Sequence, residues 1–250
     1  MRAMVLAAGQ GTRLRPLTNR MPKALVPVAG RLMIEYPLLL LRHYGIREIM
    51  INLHHFGEQI ENKLGTGEQF GLEISYSEES ELLDTGGGLL KAKPFLQDET
   101  FIVINTDVLI DLDLASAIAF HKHKNSAVTL ILRPDPDADR YGSIDIDSSA
   151  QICRFLTTHA PSPPLAPVRK LMFSGVQILE PTIFEYMAGM PQKFSTTRET
   201  YPKMLAAGEA LYGFRFDGFW QDLGTAERIK QAEAKLARDE ASLHYLDTRH

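Results

Sequence analysis

The stretch from Ala3 to Gly30 constrains this chain more than any other. Ala3-Met4-Val5-Leu6-Ala7 is a short apolar run that reads as a buried strand. It spills directly into Ala8-Gly9-Gln10-Gly11-Thr12-Arg13-Leu14-Arg15-Pro16-Leu17-Thr18, and then into Pro22-Lys23-Ala24-Leu25-Val26-Pro27-Val28-Ala29-Gly30. Glycines allow a backbone to approach a ligand and to aim successive N–H groups at anionic oxygens. Arg13, Arg15 and Lys23 add fixed positive charge to the same loop. A dinucleotide-binding fingerprint needs a third glycine where Leu14 stands, and a P-loop needs a Gly-Lys-Ser/Thr that is missing. An anion loop of another kind remains, set against an ordinary strand-to-loop turn with solvated arginines.

At 250 residues the chain is long enough for one large α/β domain with a substantial core. The formal net charge of −4 leaves no footprint for nucleic acid or an anionic membrane, so the basic loop is a local concentration at a site. Cys153 is alone, which excludes an internal disulfide and a cysteine-based metal cluster and suits a reducing cytoplasm. The N-terminus enters strand and loop without a signal-peptide pattern, and no apolar run reaches the roughly eighteen residues needed to span a bilayer. The expectation is a soluble cytoplasmic protein with neither nucleic acid nor membrane as partner.

The first half alternates in pattern. Ile34 to Tyr44, apolar on nearly every face, reads as a buried helix ended by Gly45. Ile49 to Leu53 and Leu72 to Tyr76 read as strands, with a short helix from Phe56 to Leu64 between them. Thr85 opens a helix through Lys93 that Pro94 stops; a strand from Phe101 to Asn105, a helix from Leu114 to Lys124 and a strand from Ala127 to Leu132 follow. Strands separated by helices mean βαβ units, hence an α/β, Rossmann-like mixed and mostly parallel sheet.

The second half reads differently. Tyr141 to Asp147 and Gln151 to Leu156 form a hairpin that turns at Asp147-Ser148-Ser149, giving a small β subregion. Thr157 to Val168 holds four prolines and reads as a loop, after which Phe173 to Leu179 is a strand. Pro181 to Met187 and Arg198 to Ala207 read as helices, and Leu211 to Phe216 as a strand. From Thr225 an amphipathic helix runs to about residue 246, with Leu243 and Leu246 on its stripe. A single domain, 1–250, is expected, its halves at about 1–135 and 136–225.

Three segments carry chemistry. Asn105-Thr106-Asp107 closes a strongly apolar strand and delivers a carboxylate to the sheet edge that bears the glycine loop. A carboxylate together with nucleotide phosphates is how Mg²⁺ is commonly held. Asp222, before Gly224-Thr225 and the last helix, is a second carboxylate. Asp84-Thr85-Gly86-Gly87-Gly88 puts three glycines at a helix start, where each costs near 1 kcal/mol against alanine. Something must need the missing side chains, and close approach of a flat base or ribose is the natural candidate. The histidines, including His54-His55, show no metal-ligand spacing and read as structural or surface.

Leu-Ala-Ala-Gly-x-Gly-Thr-Arg-Leu-x-Pro-Leu-Thr followed by Pro-Lys resembles the signature of the sugar-1-phosphate nucleotidylyltransferases, and motifs similar to that family's extend from about residue 3 to 230. The resemblance implies a nucleotide-diphospho-sugar transferase fold, an NTP and a sugar 1-phosphate as partners, and Mg²⁺ as cofactor. It implies nucleotide contacts at Leu6, Ala8, Gly9, Gly11, Thr12, Arg13, Thr85, Gly86, Gly87 and Asn105. Catalytic charge falls on Arg13 and Lys23, and metal binding on Asp107 and Asp222. Asp107, Gly142, Ser174, Gly175 and Glu199 match the sugar side. Two departures stand out. Thr106 replaces the usual glycine before the metal aspartate. Phe155-Leu156-Thr157-Thr158 replaces a Glu-Lys-Pro whose lysine meets the sugar phosphate; Arg169 and Lys170 are candidates to supply that charge, against a solvated loop end.

The Asp84-to-Gly88 form looks most like the N-acetylmuramate-1-phosphate uridylyltransferase branch. That implies UTP with N-acetylmuramate 1-phosphate or a related hexose 1-phosphate, in a monomer or homodimer. The alternatives are a GTP-using mannose- or heptose-1-phosphate guanylyltransferase and a non-catalytic nucleotide-sugar-sensing subunit. Retention of Arg13, Lys23, Asp107 and Asp222 favours an enzyme.

Overall fold

The computed structural model describes residues 1–136, 138 and 142–246. The chain gathers into two compact units that interleave along the sequence. The first takes Met1–Leu82, Ile104–Leu112 and the stretch from Gly218 on; the second takes Leu83–Val103 and Asp113–Asp217. No single cut of the chain would separate them, because two of the crossings flank the short return Ile104–Leu112.

The first unit opens with strand β1 (Arg2–Leu6), whose Ala3, Met4 and Val5 are fully buried, as an apolar run without alternation requires. A small antiparallel ribbon follows, β2 (Pro27–Val28) on β3 (Arg31–Leu32). The helix Glu35–His43 buries Tyr36 and Leu38 to Leu41, and ends where Gly45 takes the left-handed conformation. Strand β4 (Glu48–Leu53) lies parallel to β1, with Val5 opposite Ile51, and β5 (Glu73–Glu78) lies parallel to β4. The connection carries the helix Gly57–Leu64, the usual way to join parallel neighbours. Strand β6 (Phe101–Asn105) gives its last two residues to this unit, where the strand order is β6-β1-β4-β5. The short strand β7 (Val108–Ile110) comes next.

The second unit starts with the helix Asp84–Lys91, then a separate turn of helix, Lys93–Leu96. Pro94 therefore does not stop a helix as expected. It sits in the first turn of the next one, where a missing N–H removes no bond. The helix Leu114–His123 is capped by Asp113, which accepts from the Ser116 N–H at 3.1 Å. Strand β8 (Val128–Arg133) follows. Strands β9 (Ile144–Ile146) and β10 (Ile152–Phe155) form the expected antiparallel hairpin. Its turn is held by Asp147 Oδ1, which accepts from the Ser149 N–H at 2.8 Å and the Gln151 N–H at 3.0 Å.

Within the expected loop, Thr158–His159 adds a short strand, β11, to β10. Strand β12 (Arg169–Leu179) starts four residues earlier than the sequence indicates. Arg169 and Lys170 are thus strand residues paired with Ile146 and Asp145 of β9, not the end of a solvated loop. β12 also pairs antiparallel with β8, and β13 (Leu211–Arg215) lies parallel to β8. The order β11-β10-β9-β12-β6 makes the sheet mixed. Between β12 and β13 stand the helix Ile183–Met187, a π-helical turn Thr196–Thr200 and the helix Tyr201–Ala206, where one continuous helix from Arg198 was expected. His121 is a core histidine: its ring nitrogens lie 2.8 Å from Thr129 Oγ1 and 3.0 Å from Glu180 Oε1, and burial pushes its pKa down.

The chain then returns to the first unit. Strand β14 (Trp220–Asp222) pairs antiparallel with β7, and Thr225 caps the helix Ala226–Ala237. That helix does not reach residue 246. Asp239 adopts φ +53, its N–H bonds to the Leu236 carbonyl and the Glu240 N–H to the Lys235 carbonyl, a Schellman ending. Leu243 is buried beyond it by a separate 3₁₀ turn, His244–Leu246, rather than by a helical stripe.

Candidate active site

The basic loop leaves β1 under tight control. The Leu6 carbonyl accepts from the Thr106 N–H at 3.2 Å and from Thr106 Oγ1 at 2.6 Å. Threonine in place of glycine at 106 therefore ties the end of β6 to the end of β1. The next donor, Ala7 N–H, is fixed by Asn52 Oδ1 at 2.8 Å, and Asn52 Nδ2 in turn donates to the buried Glu79 carboxylate at 2.7 Å. Gly11 is needed on two grounds: φ is +61, and a Cβ would sit 2.9 Å from Thr18 Cγ2 and 3.0 Å from Lys23 Cβ. Beside Gly9 the space is open. Leu14 is buried as the plug of the 3₁₀ turn Thr12–Leu14, which leaves Thr12, Arg13 and Arg15 exposed. A small cleft of about 100 Å³ is lined by Leu6, Ala7, Gly9, Lys23, Thr106 and Asp107.

The two carboxylates meet through the β7–β14 ribbon. Asp222 lies opposite Val108, and the Leu223 N–H donates to the Asp107 carbonyl at 2.8 Å, so both aspartates stand at one end of the ribbon. Each is already matched with a cation. Lys23 Nζ pairs with Asp107 Oδ2, and Arg228 Nη1 donates to Asp222 Oδ1 at 2.7 Å, as does the Gly224 N–H. A Cβ on Gly224 would lie 2.7 Å from both Arg13 Nη2 and Asp222 Oδ1, which explains the glycine and places Arg13 at the same spot. Arg13, Lys23 and Arg228 against Asp107 and Asp222 leave a surplus of positive charge beside a glycine loop. Such a grouping is chemically suited to phosphate oxygens.

In the second unit, the predicted reason for the glycines needs correction. A Cβ on Gly86 would come within 2.3 Å of the Phe194 ring, and one on Gly87 within 2.3 Å of the Gln192 carbonyl. The chain's own packing requires both glycines. Their N–H groups are also taken, at 2.9 and 3.3 Å, by the Phe194 carbonyl. Thr85 Oγ1 accepts from the Thr196 N–H at 3.0 Å, and Glu199 Oε2 from the Ser195 N–H at 2.7 Å. Thr85, Gly86 and Gly87 thus share one clasp with the neighbour of Glu199. Ser174 and Gly175 fall where the β12–β8 register shifts, and Gly175 takes φ +91, the conformation of a bulge. Gly142 has φ +89; Tyr141 before it lies outside the described residues. Asn105 ends β6, half-buried.

Comparison with known proteins gives the family of the chain. The nucleotidyl transferase family matches residues 2–239. The chain belongs to that family. A UTP–glucose-1-phosphate uridylyltransferase from Synechocystis is 34% identical over 93% of this chain, which spans 62% of that protein's length. An N-acetylmuramate alpha-1-phosphate uridylyltransferase from Neisseria meningitidis is 35% identical over 94% of this chain and 97% of its own. A crystal structure of a Bacillus anthracis protein assigned as a glucose-1-phosphate thymidylyltransferase superposes with a TM-score of 0.79 over 96% of each chain; at 23% identity it shows the shared fold.

Nucleotidyl transferases of this family generally use divalent metal ions. The donor set here fits one: two carboxylates at one ribbon end, hard oxygen ligands that leave the remaining positions to water and substrate oxygens. Among the described residues no group of three or more His, Cys, Asp or Glu could hold a metal without such help. Sequence reading missed Asn52, Glu79 and Arg228 around the loop of the first unit, and Phe194 and Arg198 beside the glycine segment of the second. Arg228 left a signal, since a cation in the first turn of a helix opposes the helix dipole unless a carboxylate stands by. The others act across long stretches of sequence that no local pattern joins.

Proposed function

We propose that this chain transfers a nucleotidyl group from an NTP to a sugar 1-phosphate, giving an NDP-sugar and pyrophosphate. UTP with N-acetylmuramate 1-phosphate or a related hexose 1-phosphate is the preferred pair, and Mg²⁺ the cation. One observation carries the proposal: Arg13, Lys23, Asp107 and Asp222, far apart in sequence, converge beside the glycine loop through the β7–β14 ribbon.

A sugar phosphate oxygen is already nucleophilic at neutral pH, so no covalent residue or general base is required. That oxygen bonds to the α-phosphorus while the bond from α-phosphorus to the bridging oxygen breaks, and pyrophosphate leaves with the electron pair. The task for the protein is alignment and neutralisation of charge. Backbone N–H groups from Gly9 to Arg13 hold the triphosphate, Arg13 answers the charge that grows on pyrophosphate, and Lys23 serves the α-phosphate and sugar phosphate. Asp107 and Asp222 would hold the cation, and a divalent ion there would supply further neutralisation of phosphate charge. Both relatives described above are uridylyltransferases by name, in keeping with UTP.

Competition between equal UTP and GTP with one accepted sugar 1-phosphate tests the base. Hydrogen bonds to a base edge can discriminate by several kcal/mol, so the uridine product should dominate clearly. A dominant guanosine product would move the chain to the guanylyltransferase alternative.

A further inference from the structure

We propose that Arg198 is a positioning residue for the Asp84–Gly87 segment, and that nucleotide affinity depends on its ion pair with Asp84. This rests on the proposed use of an NTP and on the nucleotide contacts at Thr85, Gly86 and Gly87 that the family resemblance implies.

Asp84 has φ +61, a left-handed backbone that side chains disfavour and that aspartate tolerates through local hydrogen bonds. Both its carboxylate oxygens are engaged. Oδ1 accepts from the Thr85 N–H at 2.7 Å, and Oδ2 from Arg198 Nη2 at 2.6 Å. Arg198 belongs to the turn Thr196–Thr200, and that turn together with Phe194 just before it meets the glycine segment at further points. The Phe194 N–H donates to the Leu83 carbonyl at 3.2 Å, the Phe194 carbonyl accepts from Gly86 and Gly87, and the Thr196 N–H reaches Thr85 Oγ1.

The bonds of Thr85, Gly86 and Gly87 all lie beyond Asp84 and depend on the turn it makes. If Asp84 relaxed to an ordinary backbone region, the Thr85 and Gly86 N–H groups would swing away from their present acceptors. Arg198 holds the outer carboxylate oxygen and opposes that rotation. Glycine at 84 would keep the left-handed turn without any partner, since it carries no Cβ penalty there. That difference between the two ways of holding the turn makes the role of Arg198 testable.

Arg198 is largely exposed, so its effect should be moderate and sensitive to salt. Arg198→Ala should raise KM for UTP about two- to fivefold, the scale of a solvated ion pair, with kcat nearly unchanged because the clasp serves ground and transition states alike. Arg198→Lys should recover part of the loss. Asp84→Gly combined with Arg198→Ala should return KM to the wild-type value. Hydrogen exchange supplies a readout independent of turnover: the Gly86 and Gly87 amides should exchange faster in Arg198→Ala and at the wild-type rate in the double variant. Unchanged KM and exchange in Arg198→Ala, or a double variant as impaired as the single one, would overturn the proposal. A wild-type protein that turns over no NTP would overturn the functional reading and its KM effect, while amide exchange still decides the clasp.

Discussion

At the scale of single residues, the charges that matter are those placed where charge develops. Arg13 is exposed on its 3₁₀ turn, yet its guanidinium packs against Gly224 next to Asp222. Removing it should leave the fold intact, because nothing in the core leans on it. Arg13→Ala should cut kcat by about two orders of magnitude or more, the scale of one preorganised charge-stabilising group. Turnover near the wild-type rate, measured as pyrophosphate release, would contradict the role given to it. The resemblance to the sugar-1-phosphate nucleotidylyltransferases pointed to Arg13, Lys23, Asp107 and Asp222 together, and the fold gathers them beside one loop. Arg228 was not placed there, because its side chain reaches Asp222 by folding back one helical turn, a contact that only the capped start of that helix creates.

At the scale of elements, the strands and most helices were legible because their apolar runs are long and bounded by glycine or turn residues. Errors arose where a local backbone choice overrode the pattern. The last helix ends at Ala237, closed by the left-handed Asp239, although hydrophobic positions continue, and Pro94 lies in the first turn of a helix rather than ending one. The glycines at 86 and 87 were correctly taken to need their missing side chains, but the need comes first from Phe194 and Gln192. Gly86→Ala tests which cause dominates. A methyl group forced against the Phe194 ring should destabilise by about 1–3 kcal/mol, as overpacking does, and lower the thermal midpoint by several degrees. A variant with unchanged stability and a raised KM for the nucleotide alone would restore the base as the sole reason.

At the scale of the molecule, the fold class followed from alternating strand and helix signals. The grouping into two interleaved units did not, because it depends on which strands meet. The return of Ile104–Leu112 and of the chain after Gly218 to the N-terminal unit is what brings Asp107 and Asp222 beside the glycine loop. Among the described residues no helix is long and apolar enough to cross a membrane. The central claim is direct nucleotidyl transfer to a sugar phosphate by that assembly. UTP labelled at the α-phosphate, incubated with Mg²⁺ and a sugar 1-phosphate, tests it most directly. The label should pass into an NDP-sugar, with one pyrophosphate released for each and none without the sugar phosphate. Label that stays in UTP across the range of hexose and amino-sugar 1-phosphates, or pyrophosphate released at the same rate without them, would contradict the account.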